Sequence, residues 1–442
     1  MSWSKRLQRW LRALAGGADS GRRIPEAVDF PPLPLPEAPE PRLSMATEPA
    51  APKIAYRRNA VFTAFNTAVP VTDRHGLAGR QRELARLVDA VVNQHKHALI
   101  FGARGSGKTS LARVFGDLAD EAGCVALYGS ANADADVDAL FRPFLAELPL
   151  RGNAATQAPL DVQQLGNLFV QNLSQRAVLI IDEFDRVSSE RTKQDVAALL
   201  KLLSDIQAPV QVVLVGIAAN VDGLIAAHPS LRRHLYAQPT PPIERDDLAA
   251  LLELCAKQAG IAFEEQATQT IASAAIGSPY HARLFGMHAA LIAEAADHEV
   301  VTLADARRGL TDAVAEWSEL TPGPHALFER ALAEAGPLRG VVALAGVLAA
   351  HSPALTFERM TAAAADLFGD QLSRPESIDR AIGLIGPALR DTPVTGEFQF
   401  EDSLAPQFLV LMANGTGRMT ATPAHTSDSN RARELLQGVA GL

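Results

Sequence analysis

Short aliphatic segments alternate with amphipathic segments between about residues 76 and 240. Segments of near-continuous aliphatic character predict strands that are buried on both faces, and helices on either side of a parallel sheet provide that burial. The pattern therefore predicts an α/β core with helices on both faces of a parallel sheet, which we place at residues 56–243. The predicted strands are Ala98–Phe101, Val125–Tyr128, Val178–Ile181 and Val210–Val215.

Beyond residue 243 the apolar positions follow a helical period, and two further domains are expected. Consecutive helical segments predict an all-helical domain over residues 244–320. Helical segments followed by a β-like pair around Phe398–Phe400 predict an α+β domain over residues 321–412. Residues 413–442 are rich in Gly, Thr, Ser and Ala, and we expect them to be disordered. The helices of the first domain are predicted at Arg245–Gln258, Glu264–Ala275, Tyr280–Ala296 and Leu303–Leu320.

The N-terminal region has two patterns of its own. Residues 1–15 predict a short basic amphipathic helix, because apolar residues recur at helical spacing from Trp3 to Leu14 and Lys and Arg occupy the other face. Such a helix binds an anionic membrane surface or a groove on a partner, or it is a frayed end without a role. Residues 16–55 contain nine prolines and predict an extended linker, for which a plain spacer is favoured over an SH3-like ligand.

The composition is that of a globular chain with two or three domains, since 48% of its 442 residues are hydrophobic and 21% are charged. The net charge of −9 gives no overall attraction to nucleic acid. Cys124 and Cys255 are the only cysteines and form no CxxC pattern, which argues against a zinc site and favours a reducing compartment. No apolar run approaches 18 residues and no secretion signal is evident, so we expect a cytoplasmic protein, with peripheral contact at the inner membrane face through residues 3–14 as an alternative.

The strongest chemical signal is a glycine-rich loop that directly follows the first predicted strand. Its sequence, GARGSGKT, matches GxxxxGK(S/T) and is followed by a helical segment. Glycines let the backbone wrap phosphates and point its N–H groups inward, and the helix adds its positive dipole end. Lys108 is expected to bind the β- and γ-phosphates, and the Thr109 hydroxyl to be a Mg²⁺ ligand; Arg104 and Ser106 receive no specific task. The expected phosphate-binding residues are Gly102, Ala103, Arg104, Gly105, Ser106, Gly107, Lys108, Thr109 and Ser110.

A second signal lies at the end of the third predicted strand, where Val178–Ile181 is followed by two carboxylates, Asp182 and Glu183. Open α/β sheets bind their ligands at the carboxyl ends of the strands. We expect Asp182 to hold Mg²⁺ and Glu183 to orient or deprotonate the attacking water. Together with the loop, the pair predicts an ATPase that uses ATP and Mg²⁺ as cofactors.

These residues resemble the AAA+ branch of P-loop ATPases, and more narrowly the origin-initiator and STAND-like group, over about residues 76–412. The resemblance implies a helical lid at residues 244–320 and a winged-helix-like domain at residues 321–412. Upstream of the loop, the sequence GRQREL is similar to the GR–x–x–EL box of this group, which packs near the adenine. Gly79 and Arg80 are the implied binding residues, against the alternative of an ordinary helix start.

The resemblance also implies residues that sense or complete the nucleotide site. A polar sensor-1 residue follows the fourth strand, and Asn220 is our choice, although Ala219 occupies the more usual position. Arg232 or Arg233 corresponds to the arginine finger that reaches a neighbouring subunit, against the alternative of a surface basic pair. The finger interpretation implies a homo-oligomer.

In the lid, the sequence GSPYHAR is similar to the sensor-2 or GxP region. Pro279 fits the STAND-like pattern, in which a proline packs against the nucleotide. Arg283 corresponds to an initiator-type arginine that reaches the phosphates, although it falls later than usual. The alternative is a helix start with proline at an early position.

The function that follows is a nucleotide-controlled switch or oligomeric assembly factor that acts on a protein partner. The alternative is an initiator-like or transposition-helper ATPase whose winged helix binds DNA. That alternative is less favoured, because the third helix of the winged-helix-like domain, predicted at 376–389, contains Arg380 alone among basic residues. A third interpretation is a protein that binds ATP and hydrolyses it negligibly.

Overall fold

The structure, a computed structural model, describes residues 53–72, 74–150, 159–216, 229–352, 354–392, 395–415 and 436. The described residues from Arg57 onwards belong to one compact unit. The amphipathic helix predicted over residues 1–15, and the linker as far as residue 52, lie outside the described residues. A helix begins at Lys53, directly after the last proline of the linker, where the obstacle to helical hydrogen bonding ends.

A five-stranded parallel sheet forms the α/β core. The strand order is β2-β3-β4-β1-β5, and every neighbouring pair is parallel. The first four strands confirm the predicted core. The edge strand β5 was not predicted, because its sequence, LYAQP, mixes polar and apolar residues and buries only part of its length. The strands are β1 His97–Phe101, β2 Val125–Ser130, β3 Ala177–Asp182, β4 Val210–Gly216 and β5 Leu235–Pro239.

Helices cover both faces of this sheet, as predicted. On one face, Leu99, Leu179 and Leu214 share a hydrophobic cluster with α4, α5 and α6, whose ranges are given below. On the other face α3 packs closely, and a Cβ atom added at Gly116 would lie 3.1 Å from Ile180 Cδ1. The helices from Lys53 to the end of the core are α1 Lys53–Ala64, α2 Gln81–Val88 with a π-helical turn over Asp89–Asn93, α3 Lys108–Glu121, α4 Val137–Glu147, α5 Val162–Asn172 and α6 Glu190–Asp205.

The helical lid follows the core and agrees closely with the predicted segments. It also contains a short parallel strand pair, β6 Ala262–Phe263 and β7 Val300–Val301, that the helical pattern did not indicate. Its helices are α7 Arg245–Ala259, α8 Glu265–Ala274, α9 Pro279–Ala295 and α10 Leu303–Leu320.

Helix α1 packs with the lid, although its place in the chain suggested the α/β core. Val61, Ala64 and Phe65 belong to the lid's hydrophobic cluster. Phe65 fits against Gly286 of α9 so closely that a Cβ atom there would lie 2.7 Å from its ring. A glycine at position 286 is what allows this approach.

The C-terminal domain consists of helices and a small antiparallel sheet, ordered β8-β10-β9, and its likeness to a winged helix stays a prediction. Its third helix was predicted to reach Leu389 but ends at Ile385, because Gly386 and Pro387 begin a 3₁₀ turn. The last helix, α15, was not predicted and includes residues 413 and 414 of the expected tail. The elements are α11 Pro322–Glu334, α12 Arg339–His351, β8 Leu355–Thr356, α13 Phe357–Phe368, α14 Pro375–Ile385, β9 Leu389–Asp391, β10 Glu397–Phe400 and α15 Ala405–Asn414.

Across the described part of the chain, no single helix is both long enough and apolar enough to cross a membrane. One bent pair, Pro322–Glu334 with Gly336–His351, passes the same criteria only when its two members are joined across a bend of 120°.

His97 gives the core a pH-dependent contribution to stability. It lies in β1, almost fully buried, and its Nδ1 accepts a hydrogen bond from the backbone N–H of Val212 at 2.9 Å. Burial lowers the pKa of His97 from 6.5 to about 4, because the charged ring would lose its hydration. Between these two values the unfolded chain takes up a proton that the folded protein does not.

We therefore expect the contribution of His97 to be complete above pH 6.5 and to decline as the pH falls towards about 4, by up to about 1.4 kcal/mol for each pH unit. The variant His97→Gln removes the titrating ring and should lose less free energy of unfolding than the natural protein across this window. The second fully buried imidazole, His281, contributes equally to both proteins. Urea unfolding at several pH values measures the two slopes, and equal slopes would contradict the assignment.

Candidate nucleotide-binding site

The glycine-rich loop connects β1 to α3 and takes a shape that only glycine adopts easily. Gly105 and Gly107 have left-handed backbone angles, with φ of 74° and 87°, and Gly107 immediately precedes the first residue of α3. No described side chain caps this end of the helix, so its N–H groups and positive dipole end face the loop. The loop is therefore built to receive an anion.

Ser106, for which the sequence predicted no specific role, anchors the loop to the end of β5. Its hydroxyl lies 2.9 Å from the Thr240 hydroxyl, and both groups are buried. A Cβ atom at Gly102 would lie 2.1 Å from Thr240 Oγ1. The first glycine of the motif is thus required by the close approach of β5.

Lys108 folds back over the loop. Its Nζ donates to the carbonyl oxygens of Gly102, at 3.1 Å, and Ala103, at 2.8 Å. Burial lowers the pKa of Lys108, and the charges of Asp185 and Asp182 act in the opposite direction. A phosphate would compete with the two carbonyl oxygens for the Lys108 ammonium group. The phosphate carries a stronger negative charge than either carbonyl oxygen.

Thr109 and Asp182 meet at the carboxyl edge of the sheet. The Thr109 hydroxyl donates to Asp182 Oδ2 at 2.8 Å, and Asp182 is buried. A hydroxyl beside a carboxylate is the kind of oxygen donor set that Mg²⁺ prefers. Among the described residues no cluster of three His, Cys, Asp or Glu side chains offers an all-protein metal site. The pair therefore fits an ion that takes its remaining ligands from phosphate and water.

Glu183 lies next to this pair, in a left-handed backbone conformation with φ of 55°. Its N–H donates to Asp182 Oδ1 at 2.7 Å, and its carboxylate pairs with Arg186 at 2.8 Å. Both side chains of the ion pair are about half exposed, with 50% and 54% of their surfaces accessible. An exposed pair of this kind contributes less than about 1 kcal/mol, so Glu183 can turn towards a substrate at little cost.

Tyr128 was not identified from the sequence, yet its hydroxyl donates to Asp182 Oδ2. Burial is the main cause that raises the pKa of Tyr128, so the hydroxyl keeps its proton and acts as a donor. No sequence signal marks this residue, because an aromatic side chain in a predicted core strand is ordinary.

A cavity of about 220 Å³ extends from the loop. Its apolar walls include Val69, Val71 and Leu77, and the N–H of Val71 donates to the Ser110 hydroxyl at 3.1 Å. The cavity is large and apolar enough for a nucleotide base, and it continues directly from the phosphate loop. The sequence did not indicate that segment 66–71 lines the site, because the segment lies between predicted elements and has no periodic pattern.

Gly79 and Arg80, from the predicted upstream box, lie behind the loop. A Cβ atom at Gly79, where φ is 67°, would lie 2.8 Å from Ile243 Cγ2. The buried Arg80 lines the cavity and donates to the Ser106 carbonyl at 3.0 Å and to the Pro241 carbonyl. Its guanidinium thereby fixes the loop to the segment that leads into the lid.

The lid contributes Pro279 and Arg283 to the cavity wall. Pro279 is the first residue of α9, and its Cγ would lie 3.7 Å from a Cβ atom at Gly107. Arg283 donates to the carbonyl of Ala64, at 3.0 Å, which ends α1. The sensor-2 role of Arg283 stays a prediction, and in this structure its guanidinium is used to hold α1.

Neither of the two predicted finger arginines lines this cavity. Asn220 lies outside the described residues. Arg232 and Arg233 end the 3₁₀ turn Pro229–Arg233 and are both exposed to solvent. Their proposed action across a subunit boundary stays a prediction.

Comparison with known structures gives matches that span most of the chain. The ORC2 protein of Aeropyrum pernix, in ADPNP–ADP complexes, is 16% identical with a TM-score of 0.45, over 80% of this chain and 97% of that chain. Cdc6p from Pyrobaculum aerophilum is 16% identical with a TM-score of 0.44, over 81% and 99%. A Walker-type ATPase of Pyrococcus abyssi is 15% identical with a TM-score of 0.48, over 78% and 99%.

No curated protein sequence matches the chain significantly. The sequence model of one family, described as Novel STAND NTPase 1, matches residues 67–319. The match covers more than half of the chain and includes the loop, the Asp182–Glu183 pair and the lid. The chain therefore belongs to the novel STAND NTPase 1 family.

Proposed function

We propose that this NTPase binds ATP with Mg²⁺ between its α/β core and its lid, hydrolyses it, and uses the nucleotide state to control assembly on a protein partner. The observation that carries the proposal is the position of Lys108, Thr109 and Asp182 beside an apolar cavity. Phosphate-binding groups alone would suit any anion. The adjoining cavity adds a place for a base, so the site suits a nucleotide.

Thr109 and Asp182 would hold the magnesium ion, which when bound neutralises charge on the β- and γ-phosphates. Lys108 binds the same phosphates as a point charge. Glu183 orients the attacking water and accepts its proton once the side chain has left Arg186. These residues act by positioning and by charge, which is what phosphoryl transfer requires of a protein.

Nucleotide binding is coupled to domain arrangement because the cavity has walls from both sides. The loop and Arg80 belong to the core, whereas Pro279, Tyr280 and Arg283 belong to the lid. A ligand that contacts both stabilises one relative arrangement over others, and loss of the γ-phosphate removes part of that difference.

The exposed arginines Arg232 and Arg233 support an oligomer in which one subunit completes the site of the next. A guanidinium on the surface, away from its own cavity, is free to reach a neighbouring nucleotide. The predicted basic helix at residues 1–15, on its proline-rich linker, would bring such an assembly to a membrane surface or a protein partner.

Lys108→Ala should lower the affinity for a fluorescent ATP analogue about 100-fold or more, because the variant loses the charged partner of the phosphates. Fluorescence titration measures the dissociation constant. Lys201→Ala, which removes a surface lysine that pairs with Asp205, is the matched control and should bind normally. Unchanged affinity in Lys108→Ala would remove the basis of the proposed site.

Glu183→Gln should retain ATP binding and reduce turnover about 100-fold or more, since the amide can still hydrogen-bond water but cannot accept its proton. Phosphate release and analogue binding are measured on the same preparation. Glu190→Gln removes an exposed carboxylate that pairs with Lys193, and should hydrolyse ATP at the natural rate. Normal turnover in Glu183→Gln would refute its catalytic assignment.

Arg232→Ala or Arg233→Ala should bind ATP normally but hydrolyse it about 100-fold more slowly. Mixing the affected variant with Lys108→Ala should restore part of the turnover, because the second variant supplies an intact arginine to a neighbour that still binds ATP. Arg191→Ala, another exposed arginine, is the control. If mixing restores nothing, neither arginine acts between subunits.

A further inference from the structure

Tyr128 is placed where it can control the carboxylate expected to hold magnesium. It lies in β2 opposite Ile180 of β3, two residues before the position where Ser130 pairs with Asp182. Its side chain reaches along the sheet, and the hydroxyl donates to Asp182 Oδ2. The same oxygen accepts the hydroxyl of Thr109 at 2.8 Å. Two hydroxyls from different elements thus meet on one carboxylate oxygen.

The ring of Tyr128 is itself held in place. The guanidinium carbon of Arg113 lies 4.2 Å from the ring centroid, within the range of a cation–π interaction. Arg113 Nε is buried and has no hydrogen-bond partner among the described residues, so the ring face is the contact observed for this side of the guanidinium. Arg113 comes one helical turn after Thr109 on α3, so the same helix carries the Thr109 donor to Asp182 and the guanidinium that packs on the ring of Tyr128.

The donors to Asp182 come from three parts of the chain. Oδ1 accepts the backbone N–H of Glu183 at 2.7 Å, and this contact depends only on the local chain. The Thr109 hydroxyl is itself an expected metal ligand; a lone pair of its oxygen would bind the ion, so its O–H can go on donating to Oδ2. Tyr128 is the other side-chain donor on Oδ2 among the described residues, and it is not itself an expected metal ligand. Partners of this kind orient a metal ligand, and their loss costs metal affinity.

We propose that Tyr128 is a positioning residue that fixes the Asp182 carboxylate for magnesium, and that Arg113 supports it through the ring. The proposal rests on the proposed function, because it assigns a role within the same nucleotide site. The competing explanation is that a half-buried tyrosine has simply found an acceptor. The two explanations differ in what happens to nucleotide binding when magnesium is withheld.

The test is Tyr128→Phe in the full chain, which keeps the ring under Arg113 and removes only the hydroxyl. Affinity for a non-hydrolysable fluorescent ATP analogue is titrated in EDTA and at increasing Mg²⁺. We expect affinity in EDTA within about twofold of the natural protein, and about a tenfold rise in the Mg²⁺ concentration that gives half of the affinity gain.

Two further variants make the result specific. Tyr236→Phe removes another partly buried phenol hydroxyl of the same sheet, one that donates to Gln238 at 2.9 Å, and should leave the Mg²⁺ dependence unchanged. Arg113→Gln removes the charge over the ring and should raise the half-saturating Mg²⁺ concentration about threefold, in the same direction as Tyr128→Phe.

A Mg²⁺ dependence in Tyr128→Phe equal to that of the natural protein would overturn this proposal while leaving the proposed function intact. An equal loss of affinity in EDTA and in Mg²⁺ would also overturn it, because it would show a general structural role. If Mg²⁺ does not raise the affinity of the natural protein at all, the metal part of the proposed function fails together with this proposal.

Discussion

The hydrogen bond from Thr109 to Asp182 joins two segments that lie 73 residues apart in the chain, and the site depends on it. It forms because β1 and β3 belong to one parallel sheet, in which β4 lies between them. Parallel strands end at the same edge, and helices that begin there point their positive ends at the same space. The register is held by aliphatic side chains packed on both faces. A slip of β3 by one residue would send Asp182 to the opposite face of the sheet.

The phosphate loop is also in contact with the parts of the chain that follow the core. A Cβ atom at Gly105 would lie 3.1 Å from Leu404 Cδ2 of the C-terminal domain and 3.2 Å from Ser278 Oγ of the lid. Ser278 is hydrogen-bonded to the buried His281 at 2.9 Å, and the second ring nitrogen of His281 lies 3.1 Å from the Leu404 carbonyl. Core, lid and C-terminal domain therefore meet at one glycine. A side chain at that position would have to displace Leu404 and Ser278.

The parts of this molecule that could be predicted from sequence are those whose physical cause is local. Glycines at left-handed positions, a lysine at the helix start and aliphatic strands before a carboxylate each carry their reason within a few residues. Strand β5 could not be predicted in this way, because an edge strand needs only one apolar face and its sequence is mixed. The role of Tyr128 could not be predicted either. An apolar strand position gives no indication of which acceptor a phenol will reach, and that acceptor is 54 residues away.

The same limit applies to α1, and there it has a consequence for the site. Sequence order placed this helix with the core, but Phe65 buries its ring in the lid, and Arg58 pairs with the buried Glu294 of α9 at 3.3 Å. The carbonyl of Ala64, in the last turn of α1, accepts a hydrogen bond from Arg283, which also lines the cavity. The carbonyls at the end of a helix have no hydrogen-bond partner within the helix. A ligand that drew Arg283 away would therefore leave the Ala64 carbonyl hydrogen-bonded to water alone, at a cost of about 1 kcal/mol. The chain that continues from α1 forms the wall of the cavity at residues 66–71. Occupation of the cavity and the order of α1 are thus linked in two ways, through the Arg283 guanidinium and through the backbone of residues 66–71, which follows α1.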